Sequence, residues 1–94
     1  MNFTNGMRPV HPGEILRDEL DALDMLANAL SKALDVPVNR ITAILNGQRR
    51  VTANTALRLA RYFRTTPQVW LNLQKTWKLR REEIESGRRI AERV

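Results

Sequence analysis

The sequence predicts an all-α fold, a compact bundle of about five helices carried on into a charged helical tail. Three observations predict it. Apolar residues recur three and four positions apart along most of the chain, with no alternating strand pattern and no internal repeat. The 94 residues, 43% hydrophobic and 28% charged, suit one globular domain rather than two. Cysteine is absent, so disulfides and thiolate metal sites cannot staple the chain, and helix packing must hold it together.

Residues 1–10 lack periodicity, contain Gly6 and Pro9, and read as a flexible N-terminal arm. A helix opens at His11-Pro12-Gly13-Glu14. Pro12 suits the first helical position, and Glu14, three residues after His11, can reach back to the free His11 N–H. Ile15, Leu16, Leu20 and Leu23 then share one face, with Glu14, Arg17, Asp18 and Asp21 toward solvent. Residues 26–34 form a second amphipathic run (Leu26, Ala27, Leu30, Ala33, Leu34), with Asp24 placed to cap it. It stops at Asp35-Val36-Pro37, because Pro37 disfavours helical geometry at Val36 and can itself open the next helix. That third helix runs to Asn46, buries Ile41, Ile44 and Leu45, and ends at Gly47, a residue suited to a left-handed C-cap. Two short helices joined by a three- or four-residue turn make a helix-turn-helix.

Thr52 caps a fourth helix in which Ala53, Ala56, Leu57, Ala60 and Phe63 face inward, with Arg58, Arg61 and Arg64 off that stripe. Thr66 caps and Pro67 opens a fifth, with Val69, Trp70, Leu73 and Trp77 as its apolar stripe. Past Leu79 the composition becomes charged: Arg81 and Glu85, then Arg88 and Glu92, are i,i+4 partners, and Gly87 weakens the helix. The expected organisation is an arm over residues 1–10, the bundle over 11–79 and a charged helical extension over 80–94.

The formal net charge is +6 and the isoelectric point is near 11.1, the electrostatic footprint of nucleic-acid binding. The charge is uneven. Residues 1–47 hold four basic and six acidic groups, whereas 48–94 hold twelve and four, so one half of the chain suits phosphate. No stretch reaches the roughly 20 apolar residues of a spanning helix, and residues 1–12 lack a signal-peptide core, so a cytoplasmic location and no membrane partner are expected. A single histidine, His11, cannot build a metal cluster; it reads as a capping residue, and no catalytic group or cofactor site is expected.

A helix that enters a major groove needs polar side chains on its leading turns and apolar anchors behind. The third helix fits. With Ile41, Ile44 and Leu45 inward, Val38, Asn39, Arg40, Thr42, Ala43 and Asn46 face outward. Arg40 suits guanine, Asn39 suits adenine, and Ala43 or the Thr42 methyl suits a thymine methyl. Gln48-Arg49-Arg50 would lie beside the phosphate backbone, with Thr52 and Thr55 adding hydroxyl contacts at the fourth helix.

These residues carry a resemblance. Arg8-Pro9-Val10-His11-Pro12-Gly13-Glu14-Ile15-Leu16, Val36-Pro37-Val38-Asn39-Arg40-Ile41, Leu45-Asn46-Gly47, Thr55-Ala56-Leu57-Arg58-Leu59-Ala60 and Trp70-Leu71-Asn72-Leu73-Gln74 resemble the HigA family of antitoxins. That family includes virulence-associated protein I and lies within the phage-repressor-like (XRE/Cro) helix-turn-helix class. The resemblance implies a DNA-binding homodimer that represses its own toxin-antitoxin operon at a palindromic operator and neutralises a HigB-type toxin, a ribosome-dependent mRNA endonuclease. It places base reading on Asn39, Arg40, Thr42 and Ala43, and backbone contacts on Asn28, Asn46 and Arg49. Three positions depart from the family pattern: Leu26 stands where Ser or Thr commonly caps the second helix, Ala27 where glutamine is frequent, and Asp35 where the turn commonly has glycine.

Trp70, Leu73 and Trp77 are candidates for either core or dimer interface, because large aromatics left at a surface mark contacts. Glu14, Asp18, Glu19, Asp21 and Asp24 form an acidic group; it reads as a solvated face, with Glu14, Asp18 and Asp21 as candidates for contact with a basic toxin. Two other functional classes remain open on sequence alone: a free-standing transcription regulator without a toxin, and a toxin-capturing module with little DNA specificity.

Overall fold

The computed structural model describes residues 8–94, and among them all regular structure is helical: α1 (Pro12–Ala22), α2 (Ala27–Leu34), α3 (Val38–Leu45), α4 (Ala53–Phe63) and α5 (Pro67–Arg93). α2 packs on α3 and α4, α1 on α3 and α5, and α4 on α5. They enclose one core of Leu16, Leu20, Leu30, Leu34, Ile41, Ile44, Val51, Ala56, Leu59 and Trp70. Residues 1–7 of the arm lie outside the described residues.

The helix starts follow the local chemistry. His11 caps α1 with its imidazole, Nδ1 accepting the Gly13 N–H at 2.9 Å, while Glu14 Oε2 accepts the His11 N–H at 3.1 Å. Thr52 and Thr66 cap α4 and α5 through their hydroxyls, and Pro67 occupies the first turn of α5. The stops lie in left-handed geometry at Asp35 and Arg64, while Gly47 takes φ +73° just past α3.

Several apolar positions differ from expectation. Leu23, Leu26, Leu57 and Val69 are exposed, and so are Ala33 and Ala53. Leu59, with Thr55, takes the inward place expected of Leu57, since the buried side of α4 is set by Thr55, Ala56, Leu59 and Ala60. Asp24 does not cap α2: its backbone is left-handed in the turn after α1, and Leu26 holds the N-cap without a side-chain bond. Arg8, Pro9 and Val10, assigned to the arm, lie against α5 beside Leu73, Thr76, Trp77 and Arg80. α5 continues without a break through residue 80 and through Gly87, although nothing beyond Gln74 is buried.

Asp35 at φ 58° tests one departure from the family pattern. A Cβ is costly in left-handed geometry, less so for Asp than for most residues. Asp35→Gly is therefore expected to raise stability by about 0.5 to 1 kcal/mol, read as a higher urea midpoint with an unchanged slope.

Candidate nucleic-acid interface

The α2–α3 turn is closed by backbone bonds, Val36 N–H to Ser31 O at 3.0 Å and Asp35 N–H to Lys32 O at 3.2 Å. It leaves Pro37 in an extended N-cap conformation, so that α3 begins at Val38 with its first turn outside the core. Ile41 and Ile44 are fully buried and anchor α3 from behind. Val38 and Asn39 are exposed, and Thr42 and Ala43 are half-buried. Gln48 N–H bonds to Ala43 O at 2.8 Å, which carries Asn46, Gly47, Gln48, Arg49 and Arg50 past the end of α3 as one exposed loop. Asn28 is exposed in the first turn of α2. The result is a surface whose exposed leading residues, Val38 and Asn39, are uncharged, with a cationic loop beside them, suited to base edges and phosphates respectively.

Arg40 lies differently from its expected outward pose. Its side chain is half-buried against α4, with one terminal nitrogen 3.4 Å from Asn54 Oδ1 and a buried Nε that has no hydrogen-bond partner. Arg58 donates Nε to the same Asn54 oxygen at 2.9 Å and a terminal nitrogen to Leu34 O at 2.7 Å, tying α4 to the end of α2. Arg40, the third residue of α3, therefore leans toward α4 rather than straight out from the leading turn. Thr55 is a second correction. It is buried, its hydroxyl is 3.3 Å from that of Thr52, and it cannot reach a phosphate, whereas Thr52 is half-exposed.

Gln74 is the residue sequence reasoning missed. It is buried on α5, and its Oε1 accepts the Val51 N–H at 2.9 Å, pinning the end of the cationic loop to a helix 23 residues away. Its only sequence signal was the Trp-Leu-Asn-Leu-Gln segment, where it had no assigned role.

The Helix-turn-helix family pattern matches residues 16–70. Virulence-associated protein I of Dichelobacter nodosus is 50% identical over 80 residues, 84% of this chain and 74% of that one. The structure of an addiction module antidote protein of the HigA family from Coxiella burnetii superposes with a TM-score of 0.92 at 56% identity, covering 94% of this chain and 97% of that one. Pseudomonas aeruginosa antitoxin HigA, solved with the higBA promoter, superposes with a TM-score of 0.89 at 42% identity, over 93% and 96%. The chain belongs to the HigA-type helix-turn-helix family.

In this HigA-type chain the acidic α1 residues divide. Glu14 is committed: Arg8 grips its carboxylate through two bonds of 3.0 and 2.7 Å, and the His11 N–H takes a third. Its side chain nevertheless stays 40% exposed, and Asp18 and Asp21 are exposed with no such pairing among the described residues. The tryptophans divide too. Trp70 is 3% exposed, with Nε1 bonded to Thr65 Oγ1 at 3.1 Å, so it is core and not an interface residue. Leu73 and Trp77 are half-buried. Trp77 meets the His11 ring edge-on at 4.7 Å and carries the Arg81 guanidinium over its face. Among the described residues no group of acidic and histidine side chains could hold a metal ion.

His11 makes the fold sensitive to acid. Burial holds its imidazole pKa below the ordinary value, with the Glu14 carboxylate working the other way, and Nδ1 must stay unprotonated to accept the Gly13 N–H. The groups facing it are Glu14, held below its usual range mainly by the Arg8 hydrogen bond, and the uncharged Trp77. An unfolded chain binds this proton more readily, so the stabilisation is complete above about pH 6.5 and is lost as pH falls from there through the folded value. Thermal melts are expected to drop between pH 7 and 5.5, and His11→Asn, which keeps a capping side chain, is expected to flatten that drop.

Proposed function

We propose that this chain is a sequence-specific DNA-binding antitoxin that represses its own toxin-antitoxin operon and neutralises a HigB-type mRNA endonuclease. The observation that carries the reading is the pairing of the exposed first turn of α3 with the Gln48-Arg49-Arg50 loop beside it. It occurs in a chain 42% identical to a HigA solved with its promoter. Asn39 and Val38, with Thr42 and Ala43 behind them, meet the base edges. Arg49, Arg50, Gln48, Asn46, Thr52 and Asn28 meet phosphate, and Arg40 meets it at the α3–α4 side.

Two copies acting on a palindrome suit this surface, since each presents one reading helix and half-sites lie about 34 Å apart. The far part of α5, where Leu79, Ile84 and Ile90 are exposed, offers apolar area for such pairing. Asp18 and Asp21, on the α1 side, suit a basic toxin. Among the described residues no helix is long and apolar enough to cross a membrane, and the cytoplasm is where such DNA and such a toxin are met.

Selection from random duplexes followed by mobility shifts over a salt series tests the reading. On the selected site Asn39→Ala is expected to cost about 1 to 3 kcal/mol and to relax preference at one base. Arg49→Ala should weaken selected and random duplexes alike and lower the salt slope by about 1. Equal losses for Asn39→Ala on both kinds of DNA would remove α3 as the reading element; failure to select any site would remove the repressor reading.

A further inference from the structure

Between residues 36 and 81 the chain has ten basic residues and no acidic one. Most of these arginines belong to the surface already described or to α4, but Lys75 and Lys78 do not. They stand on α5, one helical turn apart, and with Arg50 they line an open groove of about 430 Å³ whose other walls are Val51, Thr52, Ala53, Leu71 and Gln74. No carboxylate lines it, and both lysines are exposed, so three cations face one concavity without a counter-charge. Like charges gathered this way repel one another, and an anion in the groove relieves that repulsion.

The groove is also held in shape. The buried Gln74 lies one residue before Lys75 and one turn before Lys78, and its bond to the Val51 N–H fixes the distance between α5 and the residue following Arg50. The lysines therefore keep a set position relative to the Gln48-Arg49-Arg50 loop, and Arg50 joins the cationic loop to the lysines of α5 across one groove.

We infer that Lys75 and Lys78 extend the DNA contact onto α5, where they grip phosphate backbone next to that held by Arg50 and beyond the reach of the loop itself. This rests on the repressor reading above. The contact is blind to sequence, because ammonium groups on flexible stems act as point charges on phosphate. It supplies affinity and salt dependence, and leaves base choice to α3.

The test compares the unaltered full chain with the double variant Lys75→Gln/Lys78→Gln, by fluorescence anisotropy on the selected duplex and on random duplex from 50 to 300 mM salt. Each lost phosphate contact removes roughly 0.9 from the slope of log affinity against log salt, so a fall of about 1 to 2 is expected on both duplexes, with their affinity ratio unchanged. Arg89→Gln/Arg93→Gln removes the same charge from the far end of α5 and is expected to leave the slope nearly as it was. An unchanged slope in the lysine variant, or an equal fall in the control, overturns the inference while leaving the repressor reading intact. If the unaltered chain binds no duplex at all, the repressor reading fails and the groove contact with it.

Discussion

Gly13→Ala is expected to lower stability by about 3 kcal/mol, the upper range for overpacking a core. Gly13 is buried in the first turn of α1, and a Cβ placed there would collide with the carbonyl oxygen of Ile44 on α3. That obstacle is backbone and cannot rotate away. It belongs to the last turn of the helix that presents the reading surface, so relief by displacement would shift α3 itself. The same Gly13 N–H donates to His11 Nδ1, and a tilt of α1 would loosen that cap as well. Urea denaturation checks this, with Gly87→Ala as the contrast: there the nearest atom to an added Cβ is a side-chain carbon at 3.9 Å, and alanine should stabilise the helix by about 0.5 to 1 kcal/mol. A Gly13→Ala midpoint close to that of the unaltered chain would show that α1 and α3 are not held at this contact.

Gln74→Leu is expected to cost about 1 to 3 kcal/mol, because it leaves the buried Val51 N–H without an acceptor. The volume is nearly conserved, so the loss measures the hydrogen bond rather than a cavity. Its second consequence lies at the DNA surface. With Val51 released from α5, Arg49 and Arg50 lose their fixed position, and affinity for selected and random duplexes should fall together while base preference is kept. Hydrogen exchange at Val51 should accelerate in the variant. A variant that unfolds at the same urea concentration as the parent would mean that water satisfies this N–H as well as Gln74 does.

What was readable from the sequence is what neighbouring residues decide among themselves. The His11-Pro12-Gly13-Glu14 cap, Thr52 and Thr66 as N-caps, Pro67 in the first turn, the glycine stop at Gly47 and the break at Asp35-Val36-Pro37 all act over one to four residues. They placed the five helices and the helix-turn-helix, and so the outward turn of α3. Periodicity alone was less reliable on α4, where Leu57 and Leu59 are both leucine and only the position of α2 and α5 around the helix selects Leu59 for the core.

The tertiary structure decided everything that depends on two helices meeting. Arg40 is directed by Asn54, fourteen residues on, and Trp70 is claimed by the core through Thr65 and Phe63. Gln74 is recruited by a backbone N–H on another element, and Glu14 is paired at the surface with Arg8. A polar side chain on a helix surface shows in sequence only that it is polar. Whether it meets solvent, a phosphate or a buried N–H depends on the angle and depth at which helices pack, and those are set by the summed shape of the core rather than by any local stretch of chain.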